Sequence, residues 1–205
     1  MPLTLLLVLA VISWQVAAHG PLLDLDTAVR RTVHELHRQL HSSVLDRFGV
    51  LLADLGNSVP AIPVLLGAAA LAAWRQWRSG LRRWWPPLPT ATLAAVLIPL
   101  LVVPAKAWFA RTGPLGLPLT PGEWGWYPSG HTATSAIAYG VGSLLLGRTL
   151  TAAARRLLHA GTALLCLGVG AGLVWSDFHW LLDVTASWCL AAVLLWSLDR
   201  WVRLR

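Results

Sequence analysis

Six apolar runs, each close to the length needed to cross a bilayer, constrain this chain more than any other feature. They cover residues 2–18, 49–73, 88–109, 129–146, 157–174 and 180–198. About 20 apolar residues span a hydrocarbon core as a helix, and in lipid every backbone polar group must be satisfied internally. Charged residues make up 12% of the 205, about half the usual share for a soluble domain. A disordered chain is therefore excluded, and the composition favours a membrane protein over a water-soluble fold. The expectation is an all-α membrane protein: one integral-membrane domain over residues 1–205, a bundle of about six transmembrane helices plus an outer amphipathic helix. The first run resembles a secretory signal but lacks the basic segment such signals carry, so it is read as a retained first span.

The arginines set the expected topology. Arg75, Arg78, Arg82 and Arg83 follow the second run, Arg148, Arg155 and Arg156 follow the fourth, and Arg200, Arg203 and Arg205 end the chain. With six spans these three segments share one side, and ten of the sixteen basic residues lie on them. The excess of arginine assigns that side, with both termini, to the cytoplasm of a plasma-membrane protein. The net charge of +7 thus reads as a topological signal directed at the bilayer and its anionic headgroups, with no nucleic-acid partner.

Residues 19–48 then face outward. Leu25, Val29, Val33, Leu36 and Leu40 recur three or four apart, which predicts an amphipathic helix near residues 25–45 lying on the membrane. His34, His37 and His41 share a face of it. Three histidines at such spacing suit zinc or copper, but a solvated interfacial face is the plainer reading, and no metal site is assigned. Cys166 and Cys189 fall within predicted spans and are expected to pack as small apolar residues.

Ionisable residues near the ends of spans are costly and often functional. Lys106, the chain's one lysine, closes a long apolar run, and Arg111 follows it. An isolated pair of this kind reads as snorkelling anchors. The sequence Tyr127-Pro128-Ser129-Gly130-His131 predicts a helix start, with Ser129 as N-cap and bare N–H groups around Gly130 suited to an anion. His131 in that first turn is placed to move a proton. His179 and Asp183 stand at i and i+4, so the carboxylate can hold one ring nitrogen and leave the other nucleophilic. Each feature has a structural explanation alone: a capped helix, a buried His–Asp bond. The predicted topology brings all three to the outer face, which points to a phosphate site. Asp177, two residues before His179, is placed to tune its charge.

In these residues the chain resembles the type 2 phosphatidic acid phosphatase superfamily, the membrane lipid phosphate and undecaprenyl-pyrophosphate phosphatases. That family carries a lysine followed by Arg-Pro, then Pro-Ser-Gly-His, then Ser-Arg leading to a histidine and an aspartate. Here these are Lys106 with Pro114, an intact Pro128-Ser129-Gly130-His131, and His179 with Asp183. Two arginines are missing: Gly113 stands where the first is expected, and Gly172-Leu173 replaces the Ser-Arg pair. Both would clamp phosphate in the family. Arg111 compensates, or the substrate differs, or turnover is slow or lost.

The resemblance implies a cofactor-independent and metal-independent phosphatase acting on a membrane lipid phosphate at the extracytoplasmic face. His179, oriented by Asp183, would form a phosphohistidine, and His131 would serve as acid and then base. Lys106, Arg111, the Ser129 hydroxyl and the Gly130 N–H would hold the phosphoryl oxygens. Polyprenyl pyrophosphate is the first expected substrate, phosphatidic acid or a related phospholipid the second. The missing arginines leave a non-catalytic phospholipid-binding or lipid-moving relative as the alternative. A membrane serine protease using Ser129 and His179 leaves both cations unexplained.

Overall fold

The structure, a computed structural model, describes residues 2–203. Among these residues there are eight helices and no strand: α1 (Pro2–Ala17), α2 (Leu23–Leu40), α3 (Ser43–Asp54), α4 (Ser58–Arg78), α5 (Pro87–Phe109), α6 (Gly130–Gly147), α7 (Ala152–Trp175) and α8 (Leu181–Arg203). α4, α5, α7 and α8 are long and apolar enough to cross a membrane, and α1 is a shorter apolar helix. Leucines such as Leu3, Leu7, Leu100, Leu157 and Leu164 point outward from the bundle. That apolar periphery fits lipid and not water.

α6 is the axis of the bundle. Nearly every residue from Thr132 to Leu145 is buried, and α4, α5, α7 and α8 pack around it. Its small residues, Ala133, Ala136, Ala138, Gly140 and Gly142, let neighbouring backbones approach closely, which is how helices associate in lipid. The same composition lowers its hydropathy, so α6 is recognised by enclosure and not by apolar length.

Two expectations are corrected on the outer side. The amphipathic segment is two helices, because the chain turns through a left-handed His41 at φ 42° and restarts where Ser42 accepts a hydrogen bond from Leu45 N–H. The apolar run over residues 49–73 is likewise divided: α3 ends at Asp54, and α4 begins after an extended Asn57. The position of this break follows from close packing. A Cβ on Gly56 would lie 2.8 Å from His131 Cβ and 2.9 Å from its carbonyl oxygen, so only glycine lets the turn rest on α6. α3 consequently packs against α7 as a half-length helix, and the crossing in this part of the chain is made by α4.

α1 packs along α8, with Ile12 and Val16 against Leu182 and Ala186. Ser13 Oγ lies 2.7 Å from the Tyr127 hydroxyl. Cys166 and Cys189 are buried free thiols. The arginine-rich ends of α4, α6 and α8 gather with the start of α5 around one cavity. The opposite ends of α5, α6 and α8 carry Lys106, His131 and His179.

Candidate active site

Ser129 caps α6: its Oγ accepts from Thr132 N–H at 3.3 Å and from the Thr132 hydroxyl at 3.0 Å. The residue is fully buried. Ser187 Oγ donates to its carbonyl at 2.9 Å, and its N–H donates to the Asp183 carbonyl at 3.2 Å. The serine hydroxyl therefore fixes the helix start, while the next two residues, Gly130 and His131, face open space. They line a cleft of about 570 Å³ between α4 and α5, together with Lys106, Asn57 and an apolar wall that includes Ile62 and Ile98. Lys106 lies over Gly130, its Cε 3.5 Å from where a Cβ would sit, and its Nζ donates to Gly125 O at 3.0 Å.

His179 Nδ1 lies 3.2 Å from Asp183 Oδ2, and both side chains are buried. That bond leaves Nε2 as the nitrogen with a free lone pair. Burial pushes the His179 pKa below its ordinary value, against the opposing pull of Asp183, and Lys106 and Arg111 lie near enough to add to the lowering. The ring is neutral at neutral pH as a result.

Arg111 takes a position that sequence reasoning did not supply. Its Nη1 donates to Asp183 Oδ1 at 2.5 Å and its Nη2 to Asp26 Oδ2 at 2.6 Å. The other oxygen of Asp26 accepts Leu182 N–H at 2.8 Å. Asp26 sits on α2 in the same stripe as Val29 and Val33, and a carboxylate on an apolar face was the available signal. Burial raises its pKa while Arg111 and the Leu182 N–H oppose the shift. Arg111 is thus a brace between two buried carboxylates.

The two absent arginines have physical replacements. Gly113 lies beneath Trp126: a Cβ there would be 2.6 Å from the indole Cε2. The same indole meets the His179 ring edge-on, centroids 5.3 Å apart. At the other position, a Cβ on Gly172 would be 2.5 Å from Gly49 O on α3. Leu173 is fully buried with Ala53, Val169 and Val184. An indole and a leucine core occupy the space where the resemblance predicts guanidinium groups.

His34, His37 and His41 do not converge. His34 Nε2 is 2.6 Å from Asp177 Oδ2, and His37 Nε2 is 3.1 Å from Asp46 Oδ1. Arg30 also donates to Asp177, at 2.9 Å. Asp177 therefore ties α2 to the loop before His179 and does not touch that ring's nitrogens. Among the described residues no three histidine, cysteine or acidic side chains form a candidate metal cluster.

The family model of the PAP2 superfamily matches residues 84–205, more than half of the chain and every motif residue above. The chain belongs to the PAP2 superfamily. No curated protein sequence matches it. A solved structure similar to it is described as the first transmembrane PAP2 type phosphatidylglycerolphosphate phosphatase from Bacillus subtilis. The TM-score is 0.82 at 20% identity, over 98% of this chain and 96% of that one. The likeness is one of fold, and at 98% coverage it takes in α1 to α4, which lie outside the family match. This PAP2 protein is accordingly an all-helical integral membrane protein of a lipid-phosphatase family.

Proposed function

We propose that the protein is a metal-independent phosphatase of a membrane lipid phosphate, working through a phosphohistidine on His179. The observation that carries the reading is the Asp183–His179 bond, which leaves Nε2 unbonded in a ring kept neutral by burial. In the first step Nε2 attacks phosphorus, the P–N bond forms, and the bond to the lipid oxygen breaks as His131 protonates that oxygen. In the second, His131 takes a proton from water, whose oxygen attacks phosphorus and releases phosphate and His179. Lys106 and the Gly130 N–H hold the phosphoryl oxygens at the cleft. Arg111 and Asp26 hold Asp183, and Ser129 holds the helix start.

The substrate enters the cleft between α4 and α5, whose apolar wall suits an acyl or isoprenoid chain. Lys106 is the cationic side chain lining that cleft. A site with so little positive charge suits a phosphomonoester of a glycerolipid better than a pyrophosphate. Phosphatidylglycerol phosphate and phosphatidic acid therefore come before undecaprenyl pyrophosphate. The arginine asymmetry supports a site facing outward, with both termini cytoplasmic.

The test is phosphate release by the detergent-purified protein in EDTA, from each of those three lipids, with His179→Ala as control. Release from the monoesters that disappears in the variant supports the reading. Release that survives in His179→Ala overturns the mechanism. Lipid binding with no release from any substrate favours the non-catalytic alternative, which Trp126 over His179 and the two lost arginines support.

A further inference from the structure

The cavity at the arginine-rich end belongs to no part of this site. It has a volume of about 570 Å³, within the usual range of ~300–1,000 Å³ for small-molecule sites. The end of α4, the start of α5, and the ends of α6 and α8 enclose it. Arg83, Arg148, Gln76 and Thr90 supply its polar groups, Trp85 and Trp201 two of its walls, and no acidic residue lines it. α5 has 23 residues, so at about 1.5 Å per residue the cavity lies roughly 30 Å from Lys106 at the helix's other end.

We infer that this cavity is a binding site for one anionic glycerophospholipid of the leaflet opposite the candidate active site. The charge is one-sided. Of the acidic residues among those described, only Asp199 lies at this end, against Arg83 and Arg148 in the lining. Arg75, Arg78 and Arg82 stand on the adjoining stretch of chain. A basic pocket between membrane helices attracts an anionic headgroup. Of the rest of the lining, Pro86, Pro87, Pro89 and Leu145 are apolar, and the Thr90 hydroxyl donates to Pro86 O at 2.8 Å, an environment that suits a hydrocarbon chain better than a free inorganic anion or a sugar. Tryptophans beside it are suited to the glycerol and carbonyl level of a lipid. Cations at one side and an apolar wall at the other match an amphiphile with a phosphodiester head.

The experiment uses the full chain purified in an uncharged detergent and titrated with phosphatidylglycerol or phosphatidylcholine, bound lipid being counted by native mass spectrometry. One phosphatidylglycerol is expected to bind at least tenfold more tightly than phosphatidylcholine, and Arg83→Gln to weaken it about tenfold. Arg83→Gln leaves Arg148 with Asp199, and the melting temperature of the variant is measured alongside so that weaker binding is read in folded protein. The double variant Arg155→Gln, Arg156→Gln removes more charge from the same end without touching the cavity, and it is expected to leave binding within about twofold. Lys106→Gln is also expected to leave it unchanged. Equal affinity for the two lipids, equal loss in the Arg155/Arg156 variant, or loss in Lys106→Gln would each overturn the site. The result does not depend on phosphatase activity.

Discussion

Arg111 and Asp26, 85 positions apart in sequence, are joined by a 2.6 Å ion pair that carries α2 to the candidate catalytic aspartate. The same guanidinium holds Asp183, and both carboxylates are buried. Removing the cation strands two buried charges, a change that typically costs about 3–5 kcal/mol. Arg111→Gln is expected to lower thermal stability sharply and to abolish phosphate release. Asp26→Asn keeps the side chain's shape and one of its two accepted hydrogen bonds, because an amide NH2 cannot accept from Arg111 or from Leu182 N–H, and so it loosens the positioning of Arg111 without touching the cleft. Its kcat is expected to fall about tenfold with KM nearly unchanged, because substrate binds elsewhere. A change confined to KM would place Arg111 on the substrate.

Trp126 fills the space above Gly113, so an arginine cannot simply be restored there. Gly113→Arg alone is expected to destabilise the protein by about 1–3 kcal/mol, the usual range for overpacking. Combined with Trp126→Ala, the same substitution gains room beside His179 and supplies a phosphate clamp. The double variant is expected to exceed wild-type kcat/KM several-fold, with coupling between the two changes that neither single variant shows. Additive effects in that cycle would remove the indole as the group standing in the arginine's place.

The contrast between these residues explains what the sequence could convey. His131, His179, Asp183 and Lys106 are separated by fixed helical spacings or lie at helix ends, so composition and periodicity place them. Asp26 and Trp126 act through contacts between distant elements, and no local pattern encodes such contacts. The same holds for the second apolar run. Its hydropathy is continuous, yet Gly56 must touch the His131 backbone, and that tertiary contact sets the break between α3 and α4. Asp26 shows in the sequence as a carboxylate in an apolar stripe, whereas Trp126 has no local pattern that separates it from an interfacial aromatic.

Ser129 offers a separation of folding from chemistry. Its hydroxyl is engaged by Thr132 and shielded from the cleft. Ser129→Ala removes an N-cap, worth about 1 kcal/mol. The variant is expected to unfold at a lower temperature while its kcat/KM, measured well below that temperature, stays within about threefold of wild type. Lys106→Gln is expected to show the reverse, a large loss of kcat/KM with little change in melting. A loss of turnover in Ser129→Ala comparable to that in Lys106→Gln would put the hydroxyl on phosphate.

Asp177 makes the docking of α2 pH-dependent. Burial raises its pKa, but the bonds from Arg30 and His34 outweigh that, so its carboxyl titrates below the ordinary value of 3.8. A depressed carboxylate contributes stability that is complete above the unfolded value and is lost as pH falls through the folded one. The clamp therefore weakens only in strong acid, below about pH 4. Asp177→Asn lacks the ionised partner at every pH. Its stability is expected to lie below wild type at pH 7, with the two curves converging as the medium is acidified toward pH 3. Amide exchange in α2 reads this directly: faster in the variant at neutral pH, and equal in the two proteins in acid once intrinsic exchange rates are corrected. Curves that stay parallel down to pH 3 would show that the Asp177 charge does not hold α2 in place.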